Sequence, residues 1–369
     1  MTDTLSAPPG SAVASTPQGR PFRPSATGWM ARIGVVAGLA AIALLYIFAS
    51  KPFRSDDPLA AGIVIGVGAL SLNVLIGYAG QISLGHQAFI GSGAFSSAFV
   101  ISQSHQSFYI ALAAAVAVGA AQATLLGLIA LRVRGLYFAL ITLAWGSVAE
   151  ASIFRWGSFT GGGAGQPAPR PGGFTGDRSY LIICVVALAV VMLVDWRLVA
   201  TKGGRAMQAL RESPQVAANY GVNVRAYTLL AFAVSGAYAG VAGALFASRR
   251  TTVVSVDFSF ASIALPYLVV TVVGGLRRRG GIVLFALLYK LGGSYLPDFF
   301  RSLGLPGRLQ ANAGYVIQIV SGLLAIVTLI FQPEGLGTIT APIGRWLKGE
   351  RFSAHVGTGP GAETADARP

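Results

Sequence analysis

The stretch RLVATKGGRAMQALRESPQVAANYGVNVR, Arg197 to Arg225, is polar and lies between long apolar runs. It carries Arg197, Lys202, Arg205, Arg211 and Arg225 against one acid, Glu212. Its punctuation is helical. Arg205 to Arg211 has good helix formers, with Met207 and Leu210 one turn apart on one face. Ser213 can cap a second short helix, with Pro214 at its first position, where a missing N–H is harmless. Gly221 suits the left-handed residue that ends that helix, and Asn223 can cap the apolar helix that follows. The spacing predicts a compact pair of short helices on a membrane surface. From pattern alone, a solvated basic connector that only fixes topology reads equally well.

Working outward, the apolar runs define the class. The 369 residues are 54% hydrophobic and 11% charged, with a mean hydropathy of +0.65. A soluble domain carries about 25% charge, so this is a polytopic membrane protein. The net charge of +14 could suggest nucleic acid. The basic residues lie in short loops between apolar runs, however, as the positive-inside rule expects, so the expected surroundings are membrane lipid and no nucleic acid. Cys184, the single cysteine, lies inside an apolar run. It excludes an intrachain disulfide and a cysteine zinc cluster.

Residues 1–28 are rich in Pro, Ser, Thr, Ala and Gly and read as a disordered cytosolic tail. The first apolar run, Ile33 to Ala49, is longer than a usual signal-peptide core and starts late, which favours a retained membrane helix. The second, Leu59 to Ile76, leads into SLNVLIGYAGQISLGHQAFIGSGAF, Ser71 to Phe95. Gly77, Gly80, Gly85, Gly91 and Gly93 interrupt this stretch, and Asn73, Gln81, Ser83 and His86 are embedded in it. Irregular backbone at membrane depth is tolerated only when buried in protein or lining a wet cavity. A broken or re-entrant segment near residues 77–93, beside a permeation path, is therefore expected. Close helix packing through small residues accounts for Gly91 and Gly93 equally well.

Further runs end near Ile101, or span Tyr109–Leu131, Leu136–Phe154, Tyr180–Val194, Tyr227–Phe246, Ala261–Val273, Ile282–Tyr295 and Tyr315–Phe331. Ten spans put both termini on one side. Of 27 Lys and Arg residues, 17 then fall on the terminal side and 9 on the other, with Lys290 inside a run. That bias places both termini and the Arg197–Arg225 loop in the cytosol. The expected architecture is all-α: a transmembrane bundle of about ten helices over residues 29–345, with loop 197–225 in the cytosol and a second disordered tail at 346–369.

Several chemistries are missing. None of the four lysines follows a glycine, so no phosphate-binding GxxxxGK[ST] loop exists. His86, His105 and His355 show no metal spacing, and no GxSxG elbow occurs. Neither a metal nor a cofactor is expected in this chain, nor catalytic residues. Glu150 and Lys290 are the ionisable residues that stand out inside the runs, few for a proton-coupled carrier.

Four stretches resemble one family. LNVLIGYAGQISLGHQAFIGSGAF (Leu72–Phe95), RVRGLYFALITLAWG (Arg132–Gly146), GRAMQALRESPQVAANYGVNVRAYTLLAFAVSGAYAGVAGALFA (Gly204–Ala247) and VIQIVSGLLAIVTLIFQPEGLG (Val316–Gly337) occur in order. They are similar to LivM-type permeases, the membrane subunits of branched-chain amino-acid ABC importers. The resemblance implies a non-catalytic subunit of the bacterial inner membrane that works by alternating access. Its implied partners are a LivH-like second permease, two ATP-binding cassette subunits that use ATP and Mg, and an extracytoplasmic substrate-binding protein. It also implies that the cytosolic loop docks into the ATPases. Ala206, Met207, Leu210, Ala217 and Ala218 would be the apolar contacts and Arg205, Arg211 and Glu212 the polar rim, with Gly204 in the same coupling loop and Gly221 at its left-handed position. The translocation path would take Asn73, Gly77, Gln81, Ser83, Gly85 and His86, together with Gly274 and Gly275. Two departures stand out. Where the family has a small GGLGS-type turn, this chain has Gly274-Gly275-Leu276-Arg277-Arg278-Arg279, and the loop Ser158–Ser179 is unusually rich in Gly and Pro. Related permeases carry urea and amides, so those substrates stay open beside branched-chain amino acids. A stand-alone secondary carrier or channel is the alternative from another class.

Overall fold

The computed structural model describes residues 58–303 apart from 134, and scattered positions between 316 and 330. The run at 33–49, part of the run at 315–331 and both tails lie outside the described residues. All eight intervening runs are helical.

Helix α1, Pro58–Asn73, is apolar on every face and buried along nearly its whole length. It continues into a five-residue π-helical turn, Val74–Tyr78. An irregular link, 79–86, leads to α2, Gln87–Ser102. Then come α3, Phe108–Ala130, and α4, Leu136–Ala151. After the Gly/Pro-rich loop comes α5, Asp177–Ala200. Two short helices follow, α6, Lys202–Glu212, and α7, Pro214–Asn219. The long α8, Val224–Arg250, crosses back. A π-turn, Phe260–Ala264, feeds α9, Leu265–Gly274, and α10, Arg279–Ser302, closes the described fold. Pro58–Tyr78, α3, the α4 segment to Arg155, α5 and α8 are long and apolar enough to cross a membrane, while α2 and Phe260–Gly274 are shorter apolar helices.

The bundle is organised around α1 and α8. Helix α8 packs against α1, α2 and α3, and α10 covers another side of α1. Small residues set the spacing. A Cβ on Gly236 would lie 2.2 Å from the Gly119 carbonyl oxygen, and one on Gly240 2.2 Å from that of Ala115. Gly236, Gly240 and Gly243 stand at small-residue packing spacing, and the two backbones are in direct contact. The outer helices instead expose Leu125, Tyr137, Val186 and Leu193, which suits lipid.

The expected break over 77–93 is narrower in the structure. Gly91 and Gly93 lie inside α2, where they admit the Phe154 ring and the α8 backbone at Gly240. Packing explains them, and the break is confined to 79–86. At the end of the bundle away from α6, the Gly/Pro-rich loop is tied down. Gln166 and Pro167 pair antiparallel with Val253 and Thr252, and Gln166 Nε2 donates to Ser102 Oγ at 2.5 Å. A cluster of Phe95, Phe154, Phe159 and Phe258 lies among these segments.

Candidate functional site

The end of the bundle holding α6 gathers the predicted site residues. Its local structure follows from capping. Thr201 accepts from Gly204 N–H at the start of α6, Ser213 from Val216 N–H at the start of α7, and Asn223 from Ala226 N–H at the start of α8. Gly221 has φ +78°. Around it Gly221 N–H donates to the Ala218 carbonyl and Val222 N–H to that of Ala217, the paired bonds of a glycine-terminated helix. The paired short helices, their Ser213 and Asn223 caps and the left-handed Gly221 are as the sequence predicts.

The direction of the apolar side chains is not. Ala206, Met207, Leu210 and Ala217, expected to face a partner, are buried within this chain, Met207 completely. They press α6 onto α5, α8 and the π-turn of α1. An amphipathic helix lying against a bundle turns its apolar stripe to the nearest apolar surface, and here that surface is its own. Arg205, Glu212, Ala218 and Gly221 are exposed, and Gly204 is buried where α6 leaves α5. The large apolar groups facing outward are Val216 on α7, 52% exposed, and Tyr220 just after it, 85% exposed.

Arg211 points inward: its guanidinium donates to the Gly77 carbonyl in the π-turn. Burial, then the neighbouring Arg277, holds Arg211 below the usual arginine range. Asn73 is fully buried, and its Oδ1 accepts the Arg277 N–H at 2.8 Å. That bond braces the turn after α9, where Gly275 and Arg277 have φ +99° and +69°. Gly77 leaves room for it, since a Cβ there would meet Asn73 Oδ1 at 2.3 Å. Gly274 is equally tight, with Ile282 Cα 2.5 Å from a Cβ placed on it. So Asn73, Gly77, Gly274 and Gly275 do come together, as a joint between α1 and the α9–α10 turn. The three-arginine departure gains an account here. Arg277 donates to Gln208 Oε1 of α6 at 2.9 Å, and Arg279 pairs with Asp195.

Gln81, Ser83, Gly85 and His86 form a second group on the link. Leu84 N–H donates to Thr142 Oγ1 of α4 at 2.9 Å, and Gly85 lies so close that a Cβ would sit 1.7 Å from the Thr142 carbonyl oxygen. His86 Nε2 pairs with Ser71 Oγ. Gln81 Oε1, Ser83 Oγ, His86 Nδ1 and both amide atoms of Gln87 are buried without a hydrogen-bond partner. Ala88 and Phe89 N–H bond to the Gly85 and His86 carbonyls. What the link offers a small polar solute is side-chain donors and acceptors.

Sequence reading missed Asp195. It is fully buried near the end of α5, accepting from Tyr78 Oη at 2.7 Å and from Arg279. Glu150 and Lys290 are therefore not the sole ionisable candidates. The signal was an acid directly after an apolar run, Val194-Asp195-Trp196, which is by itself a reason to look for a partner. Glu150 is half-buried in the last turn of α4, at the other end of the bundle. Lys290 lines a cavity of about 250 Å³ with Arg249, Ser262, Tyr267 and Tyr289. Among the described residues, no three His, Cys, Asp or Glu side chains assemble as a metal site.

Comparison with known proteins adds the family. A family model described as "Branched-chain amino acid transport system / permease component" matches residues 54–329. The chain is 30% identical over 308 residues to the high-affinity branched-chain amino acid transport system permease protein LivM of Escherichia coli K12, covering 76% of this chain and 68% of that one. It is 30% identical over 333 residues to the protein of the same name from Salmonella typhimurium LT2, covering 82% and 75%. A probable LivH permease of Methanocaldococcus jannaschii is 26% identical over 161 residues, 43% of this chain and 46% of that one. No solved structure matches. The matched residues take in α1 to α10, the irregular link and the basic loop, and the chain belongs to the LivM-type permease components of branched-chain amino acid transport systems.

Proposed function

We propose that this chain is the membrane subunit of an ATP-driven importer of branched-chain amino acids, working by alternating access powered by partner ATPases. One observation carries the reading. The link 79–86 carries orphaned, buried polar side chains, and the π-turn that runs into it takes a direct bond from α6, Arg211 to Gly77. A substrate contact and a drive contact thus meet on one irregular segment. Gln81, Ser83 and His86 contribute polar groups to the path, and Asn73, Gly77, Gly85, Gly274 and Gly275 hold its backbone. Helix α7 meets an ATP-binding cassette subunit through Val216 and Tyr220, with Arg205 and Glu212 at the rim; Ala206, Met207, Leu210 and Ala217 act from beneath by seating the loop. The complete importer contains a LivH-like second permease, two cassette subunits that use ATP and Mg, and an extracytoplasmic binding protein. It sits in the bacterial cytoplasmic membrane, with both termini in the cytosol.

The test is uptake of labelled leucine, and separately of urea and an aliphatic amide, by the assembled complex in proteoliposomes. ATP-dependent leucine uptake supports the reading; uptake of urea or the amide alone reassigns the substrate within the family. Labelling of a Ser6→Cys, Cys184→Ser variant from outside intact cells would reverse the orientation. A stand-alone carrier draws on a single observation, the pairing of buried Asp195 with half-buried Arg279. That pair lies at one end of the bundle, away from its middle. Uptake driven by a proton gradient without ATP would favour the carrier.

A further inference from the structure

We infer that Asp195 is a positioning residue for transport: the joint through which movement of α6 is carried into the irregular link. The inference rests on the importer reading above. Asp195 lies on α5, six residues before Thr201, where the chain passes into α6. Its carboxylate fastens two other elements. Tyr78, the last residue of the α1 π-turn, donates its hydroxyl at 2.7 Å, and Arg279, the first residue of α10, pairs with the same oxygen. Arg279 also reaches the Asp195 backbone carbonyl at 3.4 Å.

These bonds close a ring with those from α6. Arg211 holds Gly77, the neighbour of Tyr78, and Gln208 holds Arg277, two residues before Arg279. Asn73 and the Arg277 backbone link the remaining pair of elements. Going round, α6 bonds to the π-turn, the π-turn to Asp195, Asp195 to α10, and the α9–α10 turn back to α6. A displacement of α6 cannot leave the start of the link behind without breaking the Arg211–Gly77 bond, and one that carries α5 along also pulls on Tyr78 and Arg279 through the buried carboxylate. Contiguous hydrogen-bonded elements of this kind are what carry coupling between sites. Without Asp195 the two bonds from α6 would remain, but α5 would no longer tie them together. The link could then lag behind the loop.

The experiment uses the assembled importer in proteoliposomes, with substrate uptake and ATP hydrolysis measured on the same vesicles. The variants are Asp195→Asn, Tyr78→Phe and Arg279→Lys. Asp195→Asn keeps the shape and loses the charge; Tyr78→Phe removes one bond. The expected result for Asp195→Asn is that substrate moved per ATP hydrolysed falls about fivefold or more, while hydrolysis persists. Tyr78→Phe should fall less, and Arg279→Lys, which keeps the charge, should retain most of the ratio. Should Asp195→Asn fail to assemble, Tyr78→Phe decides: a lowered ratio upholds the joint, and an unchanged one overturns it. Uptake and hydrolysis falling by the same factor would also overturn it, because that is what a merely structural role produces. If the unaltered complex shows no ATP-dependent uptake, the importer reading fails and the joint with it. Normal wild-type uptake with an unchanged ratio in the variants sinks the joint alone.

Discussion

The two ends of the bundle hold themselves together differently. At the end away from α6, the ion pairs are local in sequence: Arg170 with Asp177 at 2.6 Å, and Arg250 with Asp257 at 2.9 Å. A two-residue ladder, the Gln166–Ser102 bond and the bond from Tyr180 Oη to the Leu245 carbonyl at 2.6 Å reach further. At the α6 end the bonds join residues far apart in the chain: Asn73 to Arg277, Tyr78 to Asp195, Arg211 to Gly77. One end places its ion pairs within short loops, whereas the other uses charged side chains to join distant helices. The lesson is mechanical. Local ties let neighbouring helices shift independently, whereas bonds between distant elements oblige them to move together.

Substitutions at the two ends can break this contrast. The largest effect is expected at Gly85, where any side chain meets the Thr142 carbonyl. Gly85→Val should cost about 3 kcal/mol or more, read as lost folded yield or a lowered melting temperature in detergent. Gly135 is the control: its φ is +67° but nothing lies within 4 Å of a Cβ, so Gly135→Ala should cost only about 1 kcal/mol of backbone strain.

Next comes Asn73→Ala. It leaves the Arg277 N–H without its partner and should cost about 2 kcal/mol. Asp177→Asn at the other end touches a carboxylate that is 43% exposed and should cost well under about 1 kcal/mol. Equal losses in the two variants would erase the distinction between the ends.

Gln81→Leu sharpens it within the wired end. Assembly should persist while uptake falls about tenfold, the worth of one substrate hydrogen bond. Normal uptake would mean that Gln81 is only packing. The smallest effect is expected at Gly221, whose φ of +78° a β-branched residue adopts poorly. Gly221→Val should leave the permease in the membrane yet lower substrate-stimulated ATP hydrolysis about two- to fivefold, for a strain of about 1 kcal/mol in the α7 C-terminus. Unchanged stimulation would remove the coupling role from this loop.

Much of this was legible in the chain itself. Apolar runs separated by basic loops determine a membrane bundle, because backbone polar groups in lipid must be satisfied within helices. Ser213, Pro214, Gly221 and Asn223 determine where α7 begins and ends and where α8 starts, since capping and left-handed backbone are properties of single residues and their immediate neighbours. Gly236, Gly240 and Gly243 announce a close helix contact by spacing alone. Tertiary structure decided the rest. Whether Gly91 and Gly93 break a helix or admit a neighbour depends on Phe154 and Gly240, residues with no sequence mark of their proximity. Which way Met207 and Leu210 face depends on whether the nearest apolar surface belongs to this chain or to a partner, and hydrophobic periodicity gives the stripe but not its direction. Asp195 becomes meaningful only beside Tyr78 and Arg279, 117 and 84 residues away. A buried charge is tolerated only where its partners converge, and convergence over such separations is a property of the packed fold.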